Sequence, residues 1–270
     1  MSMIESPRNA RVRQVRRLAN KSERMESGLF LLEGPQAVYE ALNYRPELVE
    51  EVFITPTALE QHPGTGELIR KAGLEPVFVS EEVIEALADT RTPQGVVAVC
   101  RQFPVSIRSL LREPAQLVAI LEEVRDPGNA GTIIRAADAA GADAVILSGR
   151  SVDLYNPKLV RSTTGSLFHV PIAVDIAFDT ALDAVRQAGL TVRAADVKGR
   201  DLTELDADEL AEPTAWVFGN EARGLTDEAL AACEDVVRVP IYGAAESLNL
   251  ASAASVCLYQ TALARRKSAR

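Results

Sequence analysis

Three segments in the second half of the chain join an apolar stretch to a loop of Gly, Asn, Glu and Ser, residue types that orient ligands and handle protons. The first runs Leu121 to Arg135, LEEVRDPGNAGTIIR. Asp126-Pro127-Gly128 predicts a turn, and Asn129 can cap the helix that follows. Gly128 and Gly131 let another group approach the backbone closely. Arg135 then falls among Ile133, Ile134, Ala136 and Ala137, where a guanidinium needs a partner because unpaired buried charge is expensive. A structural salt bridge is the plainer reading of a lone arginine there.

The second segment is Val217 to Leu225, VFGNEARGL. Gly219 ends a strand, Asn220 and Glu221 present polar ends, and Gly224 closes the loop. Loops at strand ends are where α/β folds bind ligands. An ordinary tight turn also fits. The third is Val239 to Leu250, VPIYGAAESLNL, which puts Ser247 and Asn249 at the start of a long helix. Taken alone, Ser247 reads best as the N-cap of that helix.

Other chemistries find little support. His62 and His169 are the only histidines, and neither lies beside a nucleophile, so no hydrolytic triad or zinc set forms. His169, after Leu167 and Phe168, reads as a packed residue. Cys100, Cys233 and Cys257 are odd in number and lack metal spacing, which fits core thiols in a reducing cytoplasm. No GxGxxG or P-loop spacing supports a nucleotide-dependent oxidoreductase.

Strand and helix must alternate to position such loops. In the first half, Asn9–Asn20 reads as a basic helix, and 29–32, 52–54, 76–79 and 95–100 as extended segments between helices at 35–41, 66–72 and 81–88. Residues 102–115 carry Pro104 and Pro114 without clear period and read as a linker. A second alternation has strands at 117–121, 144–147, 190–195, 216–218 and 236–239. Its helices fall at 129–140, 157–162 and 179–188, with a terminal helix at 247–265. The expected organisation is an α/β domain over 1–101, a linker over 102–115 and a second α/β domain over 116–270. Small residues at 251–255 suit close packing of the terminal helix, within the chain or against a second subunit.

The chain has 270 residues, 47% hydrophobic and 25% charged, enough apolar material for real cores. No apolar run approaches the length of a membrane span, and MSMIESPRNARVRQ lacks a signal-peptide core, so a cytoplasmic protein with no membrane partner is expected. The net charge of −9 hides an uneven distribution. Arg8, Arg11, Arg13, Arg16, Arg17, Lys21 and Arg24 crowd the first helical region, and Arg265, Arg266, Lys267 and Arg270 end the chain. Basic ends on an acidic body suggest local phosphate contacts, although a solvated helix face and a frayed tail fit equally well.

In order and wording the three segments resemble the signature motifs of the SpoU (TrmH-like) RNA ribose 2′-O-methyltransferases of the SPOUT superfamily. The matching residues are Asn129 and Arg135, the GNE run at 219–221, and SLN at 247–249. RAADAAGADAVIL at 135–147 and DLYNPKLVRSTTGSLF at 153–168 extend the likeness over most of the second half. SPRNARVRQVRRL and GLFLLEGPQAVYEAL are similar to the small ribosomal-protein-like domain that precedes many such enzymes, a less specific match. The resemblance implies a parallel-sheet methyltransferase domain with a deep trefoil knot, a rare exception to unknotted chains, and a homodimer with the site at the subunit interface.

It also implies S-adenosylmethionine as cofactor, bound near Ala195, Gly219, Asn220, Ile241 and Leu250, with no metal. Asn129, Arg135, Glu221, Ser247 and Asn249 would form the catalytic set. Arg8, Arg11, Arg13, Arg16, Arg17 and Arg161 would contact RNA, with 23S ribosomal RNA the expected substrate. Arginine stays protonated in water, so two roles for Arg135 are compatible with the motif. It can bind the phosphate beside the target ribose and lower the hydroxyl pKa, the smaller claim, or accept the proton itself. The alternatives are a tRNA 2′-O-methyltransferase, or an RNA- or ribosome-binding protein with an idle cofactor fold; intact motif residues weigh against the latter.

Overall fold

The structure, a computed structural model, describes residues 3–111 and 115–268. Linker positions 112–114 and the basic Arg270 lie outside the described residues. The chain forms two compact units: Met1–Phe103 with Asp153–His169, and Pro104–Val152 with Val170–Arg270.

The first unit is built on a four-stranded sheet of β1 (Leu29–Glu33), β2 (Val49–Ile54), β3 (Val77–Phe78) and β4 (Val96–Arg101), in the order β1-β4-β2-β3. β4 runs antiparallel to both β1 and β2, with Val99 opposite Leu31 and Glu51. Residues 96–100 of β4 are all buried, as expected of a central strand covered on both faces. Val12, Val15 and Leu18 pack on one face with Val83 and Ile84.

The basic helix expected over 9–20 is shorter. Asn9 caps an α-helix Ala10–Arg16, a 3-10 turn follows at Arg17–Ala19, and a new helix Lys21–Ser27 begins. Arg24 explains the break and corrects its reading as a surface phosphate contact. Its side chain is 3% exposed and donates to the carbonyls of Leu18 and Ala19 and to the Asp153 carboxylate at 2.5 Å. It is an internal staple, closing the 3-10 turn and fixing the segment that starts at Asp153.

The second unit carries a parallel six-stranded sheet in the order β10-β8-β9-β5-β6-β7. The strands are β5 (Leu117–Glu122), β6 (Ala144–Ser148), β7 (Ile172–Ile176), β8 (Thr191–Asp201), β9 (Thr214–Phe218) and β10 (Asp235–Arg238). β5, β6 and β9 are near-continuous apolar runs, as strands buried on both faces must be. Helix Phe178–Gln187 packs Ala181, Leu182 and Val185 on one face. On another contact, the terminal helix Leu250–Ser268 meets helix Pro127–Ala140 and places Thr261 to accept from the buried Trp216 indole at 3.0 Å.

Three differences from the sequence reading matter. β7 was not expected, because IAVDI has no clean alternation. The linker contains a short helix, Ile107–Leu110. β8 continues past Ala195 to Asp201, because β10 pairs Val236 with Ala194 and the next residue, Val237, with Arg200. The residues in between bulge out of the ladder. Gly199 lets the strand resume: a Cβ there would lie 2.4 Å from the Val236 carbonyl carbon.

Candidate active site

The three motif loops follow β5, β9 and β10 and meet beside the bulge of β8. Helix Pro127–Ala140 follows β5 after a short turn and ends at Gly141, whose positive φ makes a left-handed cap. Its N-cap is Asp126, whose side chain accepts from the Asn129 N–H at 2.8 Å. Asn129 is therefore not the cap expected from the sequence. Its side chain is released for other bonds.

In the second motif, Asn220 and Gly224 exchange backbone hydrogen bonds of 3.2 and 2.9 Å, closing the turn. Asn220 Oδ1 accepts from the N–H groups of Ala222 and Arg223, and its Nδ2 donates to the Glu123 carbonyl at 2.9 Å. This amide fastens the loop to the end of β5. Beneath it Gly219 is buried. A Cβ at this position would lie 2.6 Å from the Gly224 carbonyl carbon and 2.7 Å from the Leu225 nitrogen. Only glycine lets the loop fold back so tightly.

Glu221 binds the first motif. Its Oε1 accepts from the Asp126 N–H at 2.9 Å, and its Oε2 from the Arg125 N–H at 3.2 Å. Asn129 Nδ2 also donates to Oε1, at 3.4 Å. In the third motif Asn249, not Ser247, starts the terminal helix: its Oδ1 accepts from the N–H groups of Ala251 and Ser252. Its Nδ2 donates to Asn129 Oδ1 at 3.0 Å. Residues of all three motifs thus form one hydrogen-bonded chain, Asn249 to Asn129 to Glu221.

Next to that chain lies a cavity of about 390 Å³, within the range of small-ligand sites. Apolar Leu225, Ile241 and Leu250 line it with Ala195, Asn220 and Ser247. Glu221 also reaches it. The β8 bulge contributes Asp196 and Lys198, neither of which the sequence singled out. Residues 241–249 are all exposed and carry no regular structure.

The expected cofactor residues Ala195, Asn220, Ile241 and Leu250 are thus gathered, while Gly219 sits under the turn and not in the lining. Of the expected catalytic set, Asn129, Glu221, Ser247 and Asn249 are at or bonded to the cavity wall. Arg135 stands apart. It lies further along its helix, exposed and outside the lining, so the expectation of a buried guanidinium is corrected. The apolar neighbours Ile133, Ile134 and Ala137 point inward and leave position 135 on the outer face.

One carboxylate escaped the sequence reading. Glu122, at the end of β5, accepts from Ser148 Oγ at 2.5 Å. Burial pushes its pKa above the usual carboxylate range, opposed by the Ser148 bond and the charge of Arg223. Arg223 itself forms an ion pair with Glu123.

The arginines expected to bind RNA are unequal. Arg8, Arg13 and Arg16 are exposed. Arg11 pairs with Glu51 at 2.6 Å and Arg17 with Glu23 at 2.7 Å. Arg161 pairs with Asp89 at 3.0 Å and lies 3.7 Å from Glu33. Among the described residues, no cluster of three or more His, Cys, Asp or Glu side chains could hold a metal ion, and no helix is long and apolar enough to cross a membrane.

Comparison with known proteins gives consistent matches along the chain. The model of the SpoU rRNA Methylase family matches residues 116–259, and that of the MRM3-like substrate binding domain matches residues 9–98. The chain is 34% identical to 23S rRNA (guanosine(2553)-2′-O)-methyltransferase RlmP of Bacillus subtilis, covering 96% of this chain and 98% of that one. It is 32% identical to the 23S rRNA (uridine(2479)-2′-O)-methyltransferase of Streptomyces viridochromogenes, over 94% and 89% of the two chains. Among solved structures, an AdoMet-bound rRNA methyltransferase from Sinorhizobium meliloti superimposes with a TM-score of 0.83 at 33% identity, over 98% of each chain.

Proposed function

The chain belongs to the SpoU rRNA methylase family, and we propose from that premise that it methylates a ribose 2′-hydroxyl of 23S ribosomal RNA with S-adenosylmethionine. The observation that carries the reading is the hydrogen-bonded chain Asn249–Asn129–Glu221 at the wall of a cavity of cofactor size. The residues present fit the cofactor: Ile241, Leu250 and Leu225 offer apolar surface to an adenine, and the tight turn over Gly219 leaves backbone accessible above it.

When bound, S-adenosylmethionine supplies an electrophilic sulfonium methyl. This chain's residues supply orientation and handle the hydroxyl proton. The Oδ1 of Asn249 is committed to helix N–H groups, so its Nδ2 must donate, and Asn129 must turn its oxygen toward it. The Asn129 amide group then faces Glu221. Each link fixes the next, and together they hold the wall on which the ribose would rest. Ser247, exposed in the third motif, offers a hydroxyl to the same space.

Arg135 acts as the phosphate contact in this reading. Its guanidinium lies on the exposed face of the helix, and a planar fork of donors suits phosphate binding better than proton abstraction. Arg8, Arg13 and Arg16 form the forward part of the RNA surface; Arg11, Arg17 and Arg161 would exchange present carboxylate partners for phosphate.

The reading includes a homodimer. Tyr242 at 87%, Leu248 at 40%, Tyr259 at 42% and Leu263 at 51% exposure, along the third motif and terminal helix, support a second copy covering them. It also includes the trefoil knot, supported by β9 lying between β5 and β8 and by the return of the terminal helix to helix Pro127–Ala140. We take 1–101 as the substrate-binding part, 102–115 as linker and 116–270 as the transferase part, supported by the two family matches. Three free thiols, Cys100, Cys233 and Cys257, support a cytoplasmic setting.

The test is methylation of an unmodified 23S rRNA transcript with labelled S-adenosylmethionine, followed by mapping of 2′-O-methyl positions. Label at one ribose is expected. A folded protein that incorporates none, or that methylates a base, overturns the reading.

A further inference from the structure

The first unit contains a second cavity, of about 400 Å³, unrelated to the motif residues. Strand pairing builds it. Glu33 at the end of β1 lies opposite Val97 of β4, and the Gly34 N–H donates to the Val96 carbonyl at 3.0 Å. This brings the run Gly34-Pro35-Gln36 beside Gln94, just before β4. Gly34 turns the chain with φ +97°, a conformation that favours glycine, and helix Pro35–Tyr44 starts at once. Glu33 secures the opposite loop: its carboxylate accepts from the Asp89 N–H at 3.0 Å and from the Thr90 hydroxyl.

The third wall is His62, which joins helices Pro56–Gln61 and Pro63–Lys71, with Gly64 and Thr65 from the first turn of the latter. Tyr39 projects from helix Pro35–Tyr44 into the cavity with 37% of its surface exposed. Gly64 lies against its ring: a Cβ there would be 3.4 Å from Tyr39 Cε2, an ordinary van der Waals contact.

The polar groups are those that read planar heterocycles. The Gln36 Nε2 donates to Glu40 at 2.5 Å, which fixes that amide and leaves its carbonyl oxygen to accept. Gln94 is exposed and offers both a donor and an acceptor. His62 is half-buried and adds a ring nitrogen. Among the described residues no Lys or Arg lines the cavity, which favours an uncharged group there over a phosphate. An aromatic face with amides at its edge suits an unstacked base, the usual mode of single-stranded RNA recognition.

We propose that this cavity binds one unpaired nucleobase of the RNA substrate, stacked on Tyr39 and read at its edge by Gln94 and Gln36. The proposal rests on the RNA-methyltransferase reading and adds a site where the first unit would choose its substrate. Binding here would position the RNA before the methyl transfer and would leave cofactor binding alone.

The test uses the full chain, a 23S rRNA transcript as probe, and the variants Tyr39→Ala, Tyr39→Phe and Gln94→Ala. Base–aromatic stacking removed by alanine typically weakens binding roughly tenfold or more. The KM for RNA should rise by about that factor in Tyr39→Ala and by less in Gln94→Ala. The turnover number at saturating RNA should change far less than KM. Tyr39→Phe, which keeps the ring, should recover most of the affinity. Calorimetry should give a wild-type affinity for S-adenosylmethionine in all three, and wild-type far-UV spectra and thermal melts show that the first unit folds in each. Unchanged KM in both alanine variants of an active enzyme overturns the pocket and leaves the methyltransferase reading standing. A wild-type protein that neither binds the cofactor nor methylates RNA overturns both.

Discussion

Asn249 donates from its Nδ2 to Asn129 Oδ1 across 3.0 Å, joining the first turn of the terminal helix to the first turn of the helix after β5. Residues separated by 120 positions thereby fix each other's amide orientation. Asn129→Ala removes the middle of the chain to Glu221. Misplacement of a reacting group by about 1 Å can cost around 10²-fold in rate, so a single-turnover methylation rate lower by about that factor is expected. Cofactor affinity by calorimetry should stay close to wild type, because Asn129 does not line the cavity. An unchanged rate would remove the relay from the mechanism.

Arg135 separates activity from stability. Its side chain is exposed and buries no apolar core, so Arg135→Ala should retain the fold and a cooperative thermal transition. Methylation should nevertheless fall by roughly 10²-fold or more if the guanidinium positions the phosphate beside the ribose. Arg135→Lys keeps a charge but loses the planar fork, and should recover only part of the rate. A full-rate Arg135→Ala enzyme would exclude the residue from the site.

The legible parts of this molecule were those written in local pattern. Leu117–Leu121 reads as a buried strand because nothing polar interrupts it, and Gly141 ends the following helix because no other common residue adopts that cap so readily. Motif positions such as Glu221 and Asn249 were visible as wording, yet their partners were not. The Glu221 carboxylate grips backbone N–H groups of Arg125 and Asp126, and a sequence does not reveal which backbone a side chain will meet. Arg24 was misread for the same reason. Its positive charge looked like surface until Leu18, Ala19 and Asp153 surrounded it. Ser247 and Asn249 compete for one cap by type alone, and only the position of the Ala251 and Ser252 N–H groups decides for Asn249.

Gly219 tests the cofactor site without touching a catalytic side chain. Its substitution by Ala would drive a Cβ to within 2.6 Å of backbone carbon in Gly224, an atom that cannot move without opening the turn. That turn presents Asn220 and Glu221 to the cavity. Gly219→Ala should therefore weaken S-adenosylmethionine binding by at least roughly tenfold in calorimetry, with the far-UV spectrum of the fold retained. Wild-type affinity in this variant would show that the cofactor sits elsewhere.

Glu122 provides a pH-dependent signature. Burial beside Ser148 raises its pKa in the folded chain, with Asp179 adding to the rise and the Ser148 bond and Arg223 opposing it. An acid with a raised folded pKa binds its proton more tightly when folded. Stability therefore falls as pH rises from the ordinary glutamate value through the raised one, and the loss is complete above it. Glu122→Gln keeps an acceptor for the Ser148 hydroxyl and cannot ionise. At neutral pH the variant should melt above wild type. The gap should close on acidification, once the wild-type carboxyl is protonated in both states. Thermal melts across that range decide the matter: a gap independent of pH means that Glu122 ionises in the fold as freely as it does in the unfolded chain.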